Sequence, residues 1–247
     1  FLPGEQEKSA QKIPTDARLE AYRNGSNDQG LIALYFHYGR YLLFSSSRKP
    51  GRLPANLQGK WNEHMDAPWQ SDYHTNINLQ MNYWPADITN TGNTWEPLAI
   101  FMKSMLEPGM ICAKDMYGAG GWAMHHVTDI YGRTSINADP MWGTSPLAGA
   151  WMALSLYDHY DFTRDEAYLR NFAWPLLKGS ADFIMDFLVT DSVGRLVTAP
   201  SMSPENGFYL DKDSVTRHVI TYAPAIDIQI IREIFRAIRN VAGTMNV

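Results

Sequence analysis

The 247-residue sequence is long enough for one large domain or for a piece of a larger one. Its 21 basic and 26 acidic residues give a formal charge of -5 with neither sign in blocks, which argues against a nucleic-acid groove or a face for anionic membranes and points to a neutral partner or to none. The single cysteine, Cys112, excludes an internal disulfide framework and a cysteine-based zinc cluster, and no apolar run approaches the roughly 20 residues needed to cross a bilayer.

The opening stretch, FLPGEQEKSAQKIPTD, has no initiator methionine and lacks the basic, apolar and small-residue blocks of a secretory leader. It reads as the start of a processed or excised segment. From about residue 28 to 47, Leu31, Tyr35, Tyr38 and Leu42 recur on one helical face and are expected to point into a core. Trp95, Leu98, Met102 and Met105 mark the next clear helix, and Leu147, Trp151 and Leu154 the one after TSP.

That segment ends near DFTRDE, where Thr163 and Glu166 have the spacing of a capping box. Pro175 divides the following apolar pattern into a helix ending near Ala173 and another starting at the proline, with Phe183 and Phe187 sharing a face. The last helix, about Ala225 to Val241, is expected to turn Ile231, Ile234, Phe235 and Ile238 inward and to spread Arg232, Arg236 and Arg239 over its other side. The class is therefore all-α, about seven helices in hairpins, with short strands if any.

Long polar connections rich in Gly, Pro and aromatic residues separate these helices, and loops of that length in a compact domain are usually functional. In HTNIN, Asn76 and Asn78 are two apart, so an extended backbone would aim both amides at one water or sugar hydroxyl. The competing reading is that both satisfy nearby turns. Glu205, in SMSPENGF, is held between Pro204 and Gly207 and suits a general acid, although a solvated loop glutamate has the same local sequence.

GWAMHHVTDIYG supplies Trp122, His125, His126 and Asp129. Adjacent histidines are a poor match to metal-ligand spacing, so these residues are weighed as hydrogen-bonding groups for a polyhydroxylated ligand against a buried structural pair. No metal and no cofactor are expected. Asp227 opens the last helix, where it either complements the helix dipole or presents a carboxylate to a cleft. Trp61, Trp69, Tyr73, Tyr83, Trp84 and Trp142 join Trp122 in or beside the loops. Rings for the apolar face of a sugar and amides for its hydroxyls suit a neutral polyol.

LPANLQGKWNE, DYHTNINLQMNYWPAD, GWAMHHVTDIYG and SMSPENGF together resemble glycoside hydrolase family 95, the inverting α-L-fucosidases, in long ordered matches from about residue 15 onward. The resemblance implies an (α/α) toroid of helical hairpins that removes terminal α-linked L-fucose from a fucosylated glycan. On that reading residues 1–26 are a linker segment and 27–247 the first part of the catalytic toroid.

By motif, Glu205 becomes the general acid, Asn76 and Asn78 position the attacking water, and His74 contacts the sugar. Trp122, His125, His126, Asp129, Trp142 and Asp227 are the further candidates for substrate contact. The family's base-side aspartate lies well downstream of SPEN and has no counterpart here. The chain is accordingly expected to be a fragment lacking the C-terminal part of the toroid and the flanking β-rich domains, weakly active or inactive alone, from an extracellular or secreted parent. The alternatives are an α-L-galactosidase, another toroid glycosidase, or a non-catalytic sugar-binding module.

Overall fold

The computed structural model describes residues 12–137 and 139–246, so the first part of the expected linker lies outside the described residues. Helices dominate, and the strands are only two or three residues long. Helix α1 (Thr15–Arg23) is tied to α2 (Gln29–Ser46) by a fork: Arg18 Nε and Nη2 donate to the Asp28 carboxylate at 2.8 and 2.9 Å. Asp28 also accepts from the Leu31 N–H at 2.9 Å, so one side chain caps α2 and anchors α1.

The expected inward face of α2 is corrected. Leu31 and Leu43 are buried, but Tyr35 is 80% exposed and Tyr38 and Tyr41 lie open beside it. A run apolar on several sides, LIALYFHYGRYLLF, does not specify which side meets a neighbour.

A two-residue strand, β1 (Tyr73–His74), pairs antiparallel with β2 (Val127–Thr128), Tyr73 opposite Thr128 and His74 opposite Val127. It leads into the short helix α3 (Asn78–Tyr83). Helices α4 (Trp95–Ser104) and α5 (Leu106–Tyr117) follow, and Trp95, Leu98, Met102 and Met105 are buried as their spacing predicts. A single turn, α6 (Pro140–Gly143), precedes the long α7 (Ala148–Thr163).

The next helical stretch starts two residues away from the expected cap. Asp165 accepts from the Tyr168 N–H at 3.0 Å to open α8 (Glu166–Tyr168), whereas the Thr163 hydroxyl donates back to the His159 carbonyl. A π-turn over Leu169–Ala173 then runs into α9 (Trp174–Phe187). Pro175 has no N–H to give the Asn171 carbonyl, so the chain widens there instead of breaking. The hairpin β3 (Leu188–Thr190) and β4 (Leu196–Thr198) leads by a long loop to α10 (Ala225–Met245).

Helices α7, α9 and α10 pack on one another, with α4 and α5 alongside. The inward stripe of α10 is Ile230, Ile234, Ala237 and Val241; Ile231 and Ile238 are partly buried and Phe235 is 37% exposed, a rotation from the expected face. Trp122 sits where α5, α7 and α9 meet. A Cβ on Gly109, Gly149 or Gly179 would come within 2.8, 2.9 and 2.7 Å of its indole, so glycine is the residue that admits the ring. The indole N–H donates to the Leu176 carbonyl at 3.0 Å.

Candidate active site

The site is a cavity of about 660 Å³ beside the β1–β2 pair, at the N-terminal end of α7 and of α10. Its lining gathers His74, Asn76 and Asn78 from the β1–α3 corner, Glu205 from the SPEN loop, Leu57, Gln58 and Trp69 from the loop after α2, and Trp151 and Ile226 from the two helices. Four of the expected site residues therefore converge on one wall.

Local sequence explains the corner. β1 ends at His74, and Thr75 is fixed twice to the neighbouring chain: its N–H donates to the His126 carbonyl at 2.7 Å and its hydroxyl to the His125 carbonyl at 2.6 Å. Asn78 is the first residue of α3, so the asparagines straddle a strand end and a helix start. The expected extended backbone across them is thus replaced by a corner, which still delivers both side chains to the same cavity.

Asn76 Nδ2 donates to Glu205 Oε1 at 3.0 Å, a contact between residues 129 positions apart. Among the described residues Asn76 Oδ1 is buried without a partner, an acceptor on the cavity wall. Among the described residues, Glu205 is the only carboxylate in the lining.

His74 Nδ1 donates to Asp72 Oδ1, because a carboxylate only accepts. That bond fixes the ring and leaves Nε2 as the free nitrogen. The His126 ring stands nearly perpendicular to it, 89° at a centroid separation of 5.7 Å. Burial, reinforced by the charge of His74, pushes His126 down to about 4, so it is neutral near pH 7; its Nδ1 has no protein partner.

Asp72 was missed by sequence reasoning, although its spacing of two from His74 beside a strand was a legible signal. Trp151 was read as a core residue and Gln58 was not singled out; both line the cavity. Trp69 comes from a turn in which Trp69, Gln70 and Ser71 have φ of 51, 52 and 50°. Three successive non-glycine residues in the left-handed region are strained, and such strain clusters at functional sites.

The remaining candidates are placed elsewhere. Trp122 is locked in the core. His125 is wholly buried with both nitrogens used: Nδ1 donates to the Thr134 carbonyl at 2.8 Å and Nε2 accepts from the Tyr117 hydroxyl at 2.7 Å. It is a structural histidine, pushed down to about 4 by burial. Asp129 closes a turn by accepting from the Tyr131 and Arg133 N–H groups and pairs with the Arg133 guanidinium at 3.2 Å. Trp142 lies on α6, partly exposed, and does not line the cavity.

Asp227 also turns away from the lining. Its carboxylate accepts from the Thr198 hydroxyl at 2.6 Å, and burial pushes it up to about 6 against that hydrogen bond. Ile226, one residue earlier, is the α10 side chain that reaches the cavity. Of the loop aromatics, Tyr83 is a core residue whose hydroxyl donates to Ser47, and Tyr73 packs on Phe101. The case from rings in loops therefore narrows to Trp69, joined by Trp151 from α7. Among the described residues no three His, Cys, Asp or Glu side chains converge to hold a metal ion, and no helix is long and apolar enough to cross a membrane.

A family model described as "Glycosyl hydrolase family 95 catalytic domain" matches residues 2–247. The Arabidopsis thaliana protein named "Alpha-L-fucosidase 2" is 39% identical over 226 residues, 91% of this chain and 26% of that protein. "Probable alpha-fucosidase A" of Aspergillus niger is 42% identical over 199 residues, 78% of this chain and 25% of the relative. The Aspergillus oryzae protein of the same name is 38% identical over 150 residues, covering 60% and 20%. The chain spans about a quarter of the length of the curated relatives it matches.

Proposed function

Because the chain belongs to glycoside hydrolase family 95, we propose that it forms part of an (α/α) toroid that hydrolyses terminal α-L-fucosides, α1,2-linked at the ends of glycans, with inversion at the anomeric carbon. The observation that carries this reading is the contact between Asn76 and Glu205, which unites the two motifs in one cavity. Glu205 is the acid: Asn76 holds Oε1, leaving Oε2 to carry the proton to the departing glycosidic oxygen. Asn76 Oδ1 and the Asn78 amide accept from the attacking water and aim it at the opposite face of the ring. His74, steadied by Asp72, takes a sugar hydroxyl, and Trp69 offers the ring face on which the apolar side of fucose rests.

Amides do not carry off a proton. An inverting displacement needs a second carboxyl roughly 6.5–9.5 Å from the acid, and because Glu205 is the one carboxylate in the described lining, that group comes from beyond it. The longer parent protein supplies it on this reading.

Proton NMR of an α1,2-fucosylated galactoside during hydrolysis tests the proposal, on this chain and on the longer parent. β-Fucose is expected to appear first, and Glu205→Gln to slow release by roughly 10²- to 10⁴-fold. First appearance of α-fucose would mean retention and sink the mechanism.

A further inference from the structure

The molecule has a second polar cavity, of about 570 Å³, that shares no residue with the first. It lies at the other end of α7, lined by His159, Phe162 and Thr163 there, by Asn90, Gly92 and Asn93 before α4, and by Tyr168, Asn171 and Phe172 around the π-turn. From Trp151 in the first cavity to Phe162 in the second is eleven residues of helix, about 16 Å along the axis.

Its charges are already engaged. Asp87 accepts from His159 Nδ1 at 2.8 Å, Asp165 caps α8, and Glu96 pairs with Lys49. The amides of Asn90, Asn93 and Asn171, by contrast, make no side-chain hydrogen bond among the described residues, and all three are exposed. The Tyr168 hydroxyl is buried with no partner among the described residues, in a residue 9% exposed. Phe162 is 61% exposed at the rim, and Phe172 lies in the wall. A Cβ on Gly92 would meet Asp87 Oδ1 at 2.9 Å, so glycine leaves the Asp87–His159 pair undisturbed in the wall. π-Turns are frequent at functional sites, and this one supplies both Asn171 and Phe172.

Unused amides, a buried hydroxyl and an exposed ring are groups for a neutral ligand with hydroxyls on one side and C–H bonds on the other. We propose that this cavity is a second carbohydrate-binding site, taking a pyranose of a glycan independently of the first cavity. Each carboxylate already has a partner within the protein, which favours a sugar over a cationic peptide. A glycan held at both ends of α7 would gain residence on the protein without new chemistry.

The test is a ¹H–¹⁵N NMR titration of the full chain with methyl β-D-galactopyranoside. Saturable shifts in the side-chain amide signals of Asn90, Asn93 and Asn171 are expected, unchanged in Asn76→Ala and lost in Phe162→Ala and Asn93→Ala. Both of these last positions are exposed, and unaltered thermal melts would verify their folding. The idea is overturned if those signals stay still while the spectrum remains dispersed, if the shifts survive both variants, or if lysine amide moves the same signals and the glycoside does not. Shifts confined to Asn76 and Asn78 would leave the first cavity as a sugar site and remove the second.

Discussion

The polar clusters around His125 and around His126 lie on either side of one backbone segment, and burial pushes both rings to about 4. Around His125 the groups answer one another: Tyr117 and Thr134 take its two nitrogens, and the Thr134 hydroxyl donates to the Pro108 carbonyl. Around His126 they do not, for His126 Nδ1, Asn76 Oδ1 and Gln80 Oε1 are buried without protein partners. A buried orphan costs about 1–3 kcal/mol. Water or a ligand completes such bonds, so the first cluster is closed on itself and the second is left open, with Asn76 alone of the three in the cavity lining.

Substitution at His125 should have the largest effect. His125→Ala orphans the Tyr117 hydroxyl, removes the side-chain donor from a Thr134 carbonyl that keeps the backbone N–H of residue 125, and leaves a cavity where the ring was; it is expected to destabilise the chain by about 3 kcal/mol in urea unfolding. A loss below about 1 kcal/mol would erase the contrast.

Asp227 is the intermediate case, a buried carboxylate bonded to Thr198. Its folded-state value of about 6 lies above its ordinary 3.8, so the folded chain holds the proton more tightly. The resulting stability is full below about pH 4 and disappears as pH rises through 6, a change of about 3 kcal/mol. Asp227→Asn should flatten that part of the pH–stability curve relative to the parent chain; an identical slope in both would show that Asp227 does not titrate there.

Asn76→Ala should have the smallest effect on stability, within about 1 kcal/mol, because it removes an orphan acceptor along with one bond to Glu205. On the proposed reading, fucoside turnover by the longer parent should nevertheless fall by on the order of 100-fold. Equal damage to stability and turnover would make Asn76 a structural residue like His125.

How much was legible depended on how one-sided each pattern was. In α4 the buried residues Trp95, Leu98 and Met102 sit at spacings of three and four, and that face could be read directly, although Pro97 and Phe101 on other sides are buried too. In α10, Ile226, Ile228, Ile230, Ile231, Ile234 and Phe235 surround much of the helix, so contact with α7 and α9 selected Ile230 and Ile234. The tyrosines of α2 failed for the same reason. At the site, HTNIN and SPEN named the groups that meet in the cavity, but HH gave two identical letters opposite fates.

Sequence alone determined the helical class, the positions of most helices and the motifs that gather at the cavity, because periodicity and local turn chemistry are short-range properties of the chain. Only the tertiary structure decided which histidine is structural, that Trp122 belongs to the core and that Asn76 meets Glu205. Those outcomes depend on partners that packing brings together, 8 and 9 residues away for His125, 54 for the Trp122 indole and 129 for Asn76, and helical periodicity does not encode them.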